Sequence, residues 1–332
     1  MEVVTARNGE HALELVDELQ PDVITLDVNM PVMDGLTCLA KIMTTSPRPV
    51  VMVSSLTSKG ALATLEALEL GAVDYVAKPG GTVSLNMSDA RDQIVDTVLR
   101  AATAKVRRPL GIRGRVRLPY AEPRRPAHPD PGVEPAGAAR AASTVDLVVI
   151  GASTGGPGVL TDLVGQLPAG FAVPVVIAQH IPASFTGPFA RRMDEISAVS
   201  VVEVTGMCLL KPGTVYVAHG DADIVGNRRP DGLVVRSVPA GESFRWHPSV
   251  NRMVFSALQV CAPERLIGVL LTGMGDDGAE QMSSLKARGG RTLAESEESA
   301  VVWGMPGELV KRGGASRVMP ADRVVGQLLT WI

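Results

Sequence analysis

Apolar residues in the first third of the chain follow two alternating patterns. Ala12, Leu15, Val16 and Leu19 share one face at helical spacing, whereas Val23 to Leu26, Val50 to Val53 and Val73 to Ala77 are short apolar-rich runs of the kind buried on both faces of a sheet. Helices are predicted in the intervals, at about Leu36 to Thr44, Lys59 to Leu70 and Ser88 to Ala104. Such alternation predicts a parallel α/β body. The pattern returns later in the chain, with strands expected at Val145 to Ile150, Val173 to Ala178, Val199 to Val204 and Leu266 to Leu271. Helices are expected at Gly158 to Gln166, Ser249 to Val260, Gly278 to Ala287 and Arg323 to Ile332. Val215 to Val217, Ala222 to Val225 and Leu233 to Val238 read as a hairpin-rich insert, with Pro230-Asp231-Gly232 as a tight turn.

Between these two bodies the composition changes. From Lys105 to Ser143 there are nine basic residues, three acidic residues and seven prolines, which describes a solvated, semi-extended linker. With one aromatic, Tyr120, and no recognition motif, this stretch does not predict nucleic-acid binding. A chain of 332 residues with 45% hydrophobic content suits two ordinary cores, and its net charge of −3 gives no general pull towards polyanions. Glu2 follows the first methionine, and no apolar run approaches the roughly 18 residues that span a bilayer, so a cytoplasmic protein without membrane insertion is expected. Cys38, Cys208 and Cys261 are scattered, with no metal-ligand or disulfide spacing.

Polar chemistry collects at the ends of the predicted strands. In the first body Asp27, Ser54 and Lys78 each end or follow a strand and should meet outside the carboxyl edge of the sheet. A carboxylate, a hydroxyl and an ammonium together suit phosphoryl transfer, the first accepting the group and the others offsetting charge on its oxygens. The segments VITLDVNMPVMDG, VVMVSSLT and GAVDYVAKPG resemble the response-regulator receiver family. By position, the resemblance implies that Asp27 is the phospho-accepting aspartate, Ser54 the switch hydroxyl and Lys78 the invariant lysine, over about residues 1–104.

A receiver begins with a strand ending in paired acidic residues that hold Mg²⁺, whereas this chain opens at what reads as the second strand, Glu2 to Thr5. In the receiver strand order that first strand is central, so a domain without it is expected to be unstable. The Mg²⁺ site is incomplete at Asp27, and phosphorylation there is expected to be weak unless the acidic pair is supplied. The expectation is that the natural protein carries about thirty further residues, enough for one strand and one helix.

The second body carries a serine in Gly151-Ala152-Ser153-Thr154-Gly155, directly after an apolar strand. A G-x-S-x-G spacing suits a sharp strand-to-helix turn that exposes a nucleophilic hydroxyl near free helix N–H groups. Gly-rich loops also cradle phosphates, but a dinucleotide fingerprint needs glycine at position 153, and a P-loop needs Lys-Ser/Thr where Pro157-Gly158 stand. His180 follows the next strand and Asp277 follows the strand Leu266 to Leu271, so one crevice could collect all three. A serine, a histidine and an aspartate together suit acyl transfer. Asp277 could instead be a helix cap, or with Asp276 half of a metal site, although no second acidic or histidine cluster lies nearby.

The segments GASTGGP, AQHIP, HPSV and LTGMGDDGA closely resemble the catalytic domain of the chemotaxis protein-glutamate methylesterases, the CheB family, from about Val145 to Ile332. The resemblance implies Ser153 as nucleophile, His180 as base and Asp277 as third member, with backbone N–H groups of Thr154 and Met274 as oxyanion donors. Asp276 stands where the family commonly has asparagine. The fold implied is two doubly wound parallel-sheet α/β domains, a flavodoxin-like receiver at 1–104 and a Rossmann-like methylesterase domain at 144–332, joined by a Pro/Arg-rich linker at 105–143. The function implied is hydrolysis of glutamate methyl esters on methyl-accepting chemotaxis receptors, giving glutamate and methanol, with deamidation of receptor glutamines. A histidine kinase is the implied phosphodonor, and in the family the receiver blocks the esterase cleft until it is phosphorylated. No cofactor or metal is implied for the esterase step. A DNA-binding regulator and a non-catalytic scaffold are the rival readings.

Overall fold

The computed structural model describes residues 2–54, 58–78, 87–106 and 143–332. Most of the expected linker, 107–142, lies outside the described residues. The chain divides into two compact units.

The first unit is built on three parallel strands, β1 (Ile24–Asp27), β2 (Val50–Ser54) and β3 (Asp74–Ala77), in that order across the sheet. Helices α1 (Gly9–Leu19), α2 (Gly35–Thr45), α3 (Ser58–Glu69) and α4 (Met87–Ala102) alternate with them. Asn8 caps α1 by accepting from His11 N at 3.0 Å, and Asp34 caps α2 by accepting from Thr37 N at 2.8 Å. Gly35 is dictated by contact: a Cβ there would lie 2.0 Å from the Asp27 carbonyl oxygen. That glycine lets the loop fold back on the end of β1. Leu39, Ile42 and Met43 of α2 are fully buried with Val50 to Met52 of β2.

Two expectations fail here. Glu2 to Thr5 is not a strand, and Val3 and Val4 are exposed at 70% and 54%. A strand exists only against a hydrogen-bonding neighbour, and the described sheet of this unit pairs β1, β2 and β3 alone. Leu19, placed by periodicity on the same face of α1 as Ala12 and Val16, is 47% exposed.

The second unit holds a seven-stranded sheet. Its strands are β4 (Leu147–Ala152), β5 (Val175–Gln179), β6 (Ser200–Val204), β8 (Thr214–Ala218), β11 (Leu266–Leu270), β12 (Arg291–Glu295) and β13 (Arg317–Met319). They run parallel in the order β13-β12-β11-β4-β5-β8-β6. A smaller antiparallel sheet is made of β7 (Met207–Leu209), β10 (Gly232–Pro239) and β9 (Ala222–Arg229). The helices are α5 (Gly156–Gly165), α6 (Ala183–Ile196), α7 (Val250–Val260), α8 (Ala279–Ala287), α9 (Met305–Lys311) and α10 (Val324–Trp331).

Side chains alternate across the strands. Leu147, Val149, Val176 and Ala178 join the core formed with α7, α8 and α9. Val148, Ile150, Val175 and Ile177 are equally buried on the opposite face, and α6 contributes Phe185, Phe189 and Met193 at four-residue spacing.

Three departures from the expected pattern have physical reasons. Val215 to Val217 belongs to the parallel sheet, between β5 and β6, and not to the hairpin insert: Val215 to Ala218 are buried, as a strand covered on both faces requires. Helix α6 was masked in the sequence by Pro188, which the helix accommodates in its second turn. The short strands β12 and β13 are too polar to stand out as apolar runs.

The core predicts cysteine reactivity. Burial pushes the Cys38 and Cys261 thiols up to about 11, whereas Cys208 is half-buried. Alkylation of the folded chain at pH 8 is therefore expected to label Cys208 first and to reach Cys38 and Cys261 only on unfolding. Peptide mass spectrometry reads the order, and early labelling of Cys261 would contradict the packing of α7.

Candidate active site

Of the seven strands of this sheet β4 comes first in sequence; β5, β8 and β6 lie to one side of it and β11, β12 and β13 to the other. The connections reverse direction at β4, and a crevice opens outside the carboxyl ends of the strands. Ser153 leaves β4 there, His180 leaves β5, and Leu271 to Asp277 leave β11.

The serine turn is tied on both sides. Ser153 N donates to Thr272 O at 3.0 Å, and Ser153 O accepts from Gly156 N at 2.8 Å and from Gln179 Nε2 at 2.9 Å. Gly155 adopts φ 76°, a left-handed conformation suited to glycine, and a Cβ there would lie 2.5 Å from Val301. His180 is drawn to the same place by its own N–H, which donates to Ala152 O at 3.1 Å. Gly273 packs on Ser153, since a Cβ on it would stand 2.7 Å from that of Ser153. Thr154 follows Ser153 in sequence, and Met274 follows Gly273. Thr154 is buried, and its carbonyl accepts from Thr272 Oγ1 at 3.0 Å; Met274 is 46% exposed. An open groove of about 710 Å³ starts at Met274 and passes Trp303 towards Glu308 and Lys311.

His180 and Asp277 meet directly. The imidazole Nε2 lies 2.9 Å from Asp277 Oδ2. The other ring nitrogen, Nδ1, is buried and has no hydrogen-bond partner. Asp277 is 1% exposed and is held by the first turn of α7: Oδ2 accepts from Val250 N at 2.7 Å, and Oδ1 accepts from Asn251 N at 2.9 Å and Ser249 Oγ at 3.1 Å. Burial alone would raise its pKa. The His180 hydrogen bond and charge, with the Asn251 and Val250 N–H groups, outweigh burial and hold the carboxyl below its ordinary 3.8. Asp276 points elsewhere, half-exposed and paired with Arg312 at 3.1 Å.

Trp246 was not foreseen. Its ring stacks on His180, with centroids 5.9 Å apart and planes within 4°. Gly275 lies against its far edge, where a Cβ would be 3.0 Å from Cζ2. Only the neighbouring HPSV segment carried a signal in the sequence, and that segment supplies Ser249 and Val250.

In the first unit, Asp27 and Lys78 also meet. Lys78 Nζ donates to Asp27 Oδ2 at 2.6 Å, and Asn29 N donates to Oδ1 at 3.1 Å. Ser54 ends β2 at the same edge, fully buried, and donates to Gly60 O at 3.2 Å. Among the described residues no group of three or more His, Cys, Asp or Glu could hold a metal ion. Asp27 is a single carboxylate with both oxygens engaged, which does not fit an octahedral Mg²⁺. Nor, among the described residues, is any helix long and apolar enough to cross a membrane.

A serine turn and a His–carboxylate pair at the switch point of a parallel sheet define an α/β body equipped for acyl transfer. Residues 148–328 match the family model described as CheB methylesterase, and residues 1–87 match the response regulator receiver domain. The chain belongs to the CheB methylesterase family and carries a receiver ahead of its catalytic domain. It is 53% identical over 335 residues to protein-glutamate methylesterase/protein-glutamine glutaminase 3 of Rhodospirillum rubrum, covering 100% of this chain and 89% of that protein. A Rhodopseudomonas palustris protein of the same description, numbered 2, is 52% identical, with 99% and 91% covered. The crystal structure of the Thermotoga maritima CheB methylesterase catalytic domain superimposes with a TM-score of 0.55 at 34% identity, covering 57% of this chain and 99% of that one.

The depressed pKa fixes a pH window. Asp277 contributes stability in full above its ordinary 3.8, and that contribution is lost as pH falls through its lower folded value. The stability gap between wild type and Asp277→Asn should therefore be widest near neutrality and close on acidification below about pH 4. All three tryptophans, Trp246, Trp303 and Trp331, lie in the second unit, so urea unfolding followed by their fluorescence reads it. A gap that stayed constant between pH 7 and pH 3 would contradict the assignment.

Proposed function

We propose that the chain hydrolyses γ-glutamyl methyl esters on chemoreceptors to glutamate and methanol, deamidates receptor glutamines at the same site, and acts in the cytoplasm under control of its receiver. The observation that carries this reading is the His180–Asp277 pair beside the Ser153 turn, with His180 Nδ1 buried and unpartnered.

Asp277 occupies Nε2, so Nδ1 is the nitrogen left to serve as base. Ser153 Oγ attacks the ester carbonyl carbon while its proton passes to His180 Nδ1. Asp277, held ionised by α7, offsets the imidazolium charge without taking the proton. The carbonyl π electrons move onto oxygen, and the N–H groups of Thr154 and Met274 are the donors assigned to that oxyanion. Collapse breaks the bond to methoxide, which leaves as methanol with the proton from His180; an amide leaves as ammonia by the same path. Water then gives a proton to His180 and attacks the acyl-serine, releasing glutamate and restoring Ser153. No metal or cofactor has a part in these steps. The receptor enters as a peptide carrying the ester, and a histidine kinase is the proposed source of the phosphoryl group for the receiver.

Methanol release from methylated receptor tests the roles. Ser153→Ala, His180→Ala and Asp277→Ala are each expected to lower kcat by about 10⁴-fold or more. Asp276→Asn should stay within about threefold of wild type, as expected of an exposed ion pair. Full activity in Ser153→Ala would return the chain to the scaffold reading, and loss in Asp276→Asn with activity in Asp277→Ala would exchange the two carboxylates.

For the receiver, the Lys78–Asp27 pair supports Asp27 as phosphoryl acceptor. Label taken from a small acyl-phosphate donor should disappear in Asp27→Asn and should be less than one per chain. Label retained in Asp27→Asn would overturn the assignment.

A further inference from the structure

Three of the four hydrogen bonds to Asp277 come from residues 249–251. The carboxylate is therefore placed only as well as that segment is. A second aspartate grips the segment from another side. Asp223, in β9, has a side chain with 0% exposure. Its Oδ1 accepts from Ser249 N at 2.7 Å, and both of its oxygens lie 3.1 Å from His247 Nδ1. Oδ2 accepts from Arg252 Nη1 at 2.6 Å and from Gly241 N at 3.1 Å.

The amino end of α7 divides its N–H groups between two buried carboxylates. Ser249 N goes to Asp223, while Val250 N and Asn251 N go to Asp277. Ser249 serves both sides, because its Oγ also donates to Asp277 and accepts from Arg252 N at 3.2 Å. Burial alone would raise the Asp223 pKa, but the Ser249 N–H, Arg252, His247 and the Gly241 N–H together hold it below its ordinary 3.8. An anion so enclosed is an uneconomical way to add stability, since a buried ion pair roughly breaks even against apolar packing. It does fix geometry: donors on residues 241, 247, 249 and 252 must all converge on one carboxylate.

We infer that Asp223 is a positioning residue for the esterase reaction. By pinning His247 to Arg252 around one point, it aims the Val250 and Asn251 N–H groups at Asp277 and so sets the carboxylate that orients His180. It touches neither substrate nor the reacting atoms. The inference rests on the roles proposed above for Ser153, His180 and Asp277.

The test uses the full chain with Asp223→Asn. The amide keeps the shape but turns an NH₂ towards donors it cannot satisfy, so the segment must shift. A displacement on the scale of an ångström costs about 10²-fold, so kcat for methanol release should fall by about 10- to 100-fold while KM changes by less than about threefold. A second readout separates positioning from bulk stability. The His180 Nε2 proton, identified in the downfield NMR spectrum by its loss in His180→Ala, should shift or broaden in Asp223→Asn. Arg252→Met, which removes one donor from the more exposed side, should move both readouts in the same direction by less.

Unchanged kcat and an unchanged resonance in Asp223→Asn would overturn the inference. So would a fall in kcat with the resonance in place. If Asp223→Asn does not fold, Arg252→Met decides on the same two readouts. A wild-type chain that releases no methanol would sink the proposed function itself, whereas equal turnover by wild type and Asp223→Asn sinks this inference alone.

Discussion

A carboxylate inside a protein stays ionised only if the protein supplies donors, and Asp277 takes its donors from the opening turn of α7. The first N–H groups of a helix have no partner within it, so they are available for this use. Everything else at the site depends on that arrangement. With Asp277 fixed, His180 is held by Nε2 and its ring plane is set, while Nδ1 is buried without a hydrogen-bond partner. Trp246 closes one face of the ring and Gly275 fits behind the indole. The His180–Asp277 pair is therefore built from a helix end, a ring and a turn stacked in sequence.

The sheet explains why these pieces meet. A parallel sheet whose connections reverse at β4 leaves neighbouring loops diverging above it, and the loops after β4, β5 and β11 border that gap. Hydrogen bonds then lace the loops together: Ser153 N to Thr272 O, Gln179 Nε2 to Ser153 O, and His180 N to Ala152 O. Glu295, wholly buried at the end of β12, accepts from Thr272 N at 2.8 Å and extends the lacing one strand further. Shape and polarity at the site are thus properties of the sheet edge, and helix α7 contributes the charge balance.

Much of this was legible in the sequence, for identifiable reasons. Runs such as LVVIGA and VVIAQ are apolar on both faces, so strands β4 and β5 declared themselves. Ser153, His180 and Asp277 each follow such a run, which placed them at one sheet edge, and the structure joins His180 to Asp277 there. Whether Asp276 or Asp277 faced the histidine was less open to sequence reasoning, because adjacent residues on a loop differ only in direction; the structure turns Asp276 towards Arg312. Buried polar groups were the least visible. Asp223 and Glu295 sit in strands where a pattern reader expects charges to face solvent, and their donors come from residues far along the chain. Val215 to Val217 was misplaced because its neighbours form a hairpin, and nothing local distinguishes a strand that leaves the hairpin to join the main sheet. Glu2 to Thr5 has strand composition but no partner strand in the described sheet, and composition cannot supply one.

The lacing of the loops has a consequence in time. Asp277 and His180 are 97 residues apart, and the bond from Thr272 to the Thr154 carbonyl spans 118. Contacts of such separation form late, because the intervening chain must be ordered before they can close. During synthesis the serine turn emerges from the ribosome long before β11 and α7 exist to complete it. Until then His180 lacks the carboxylate that holds it, and the Ser153 turn lacks its brace on Thr272. The loops around Ser153 are therefore fully braced only when the domain is nearly whole.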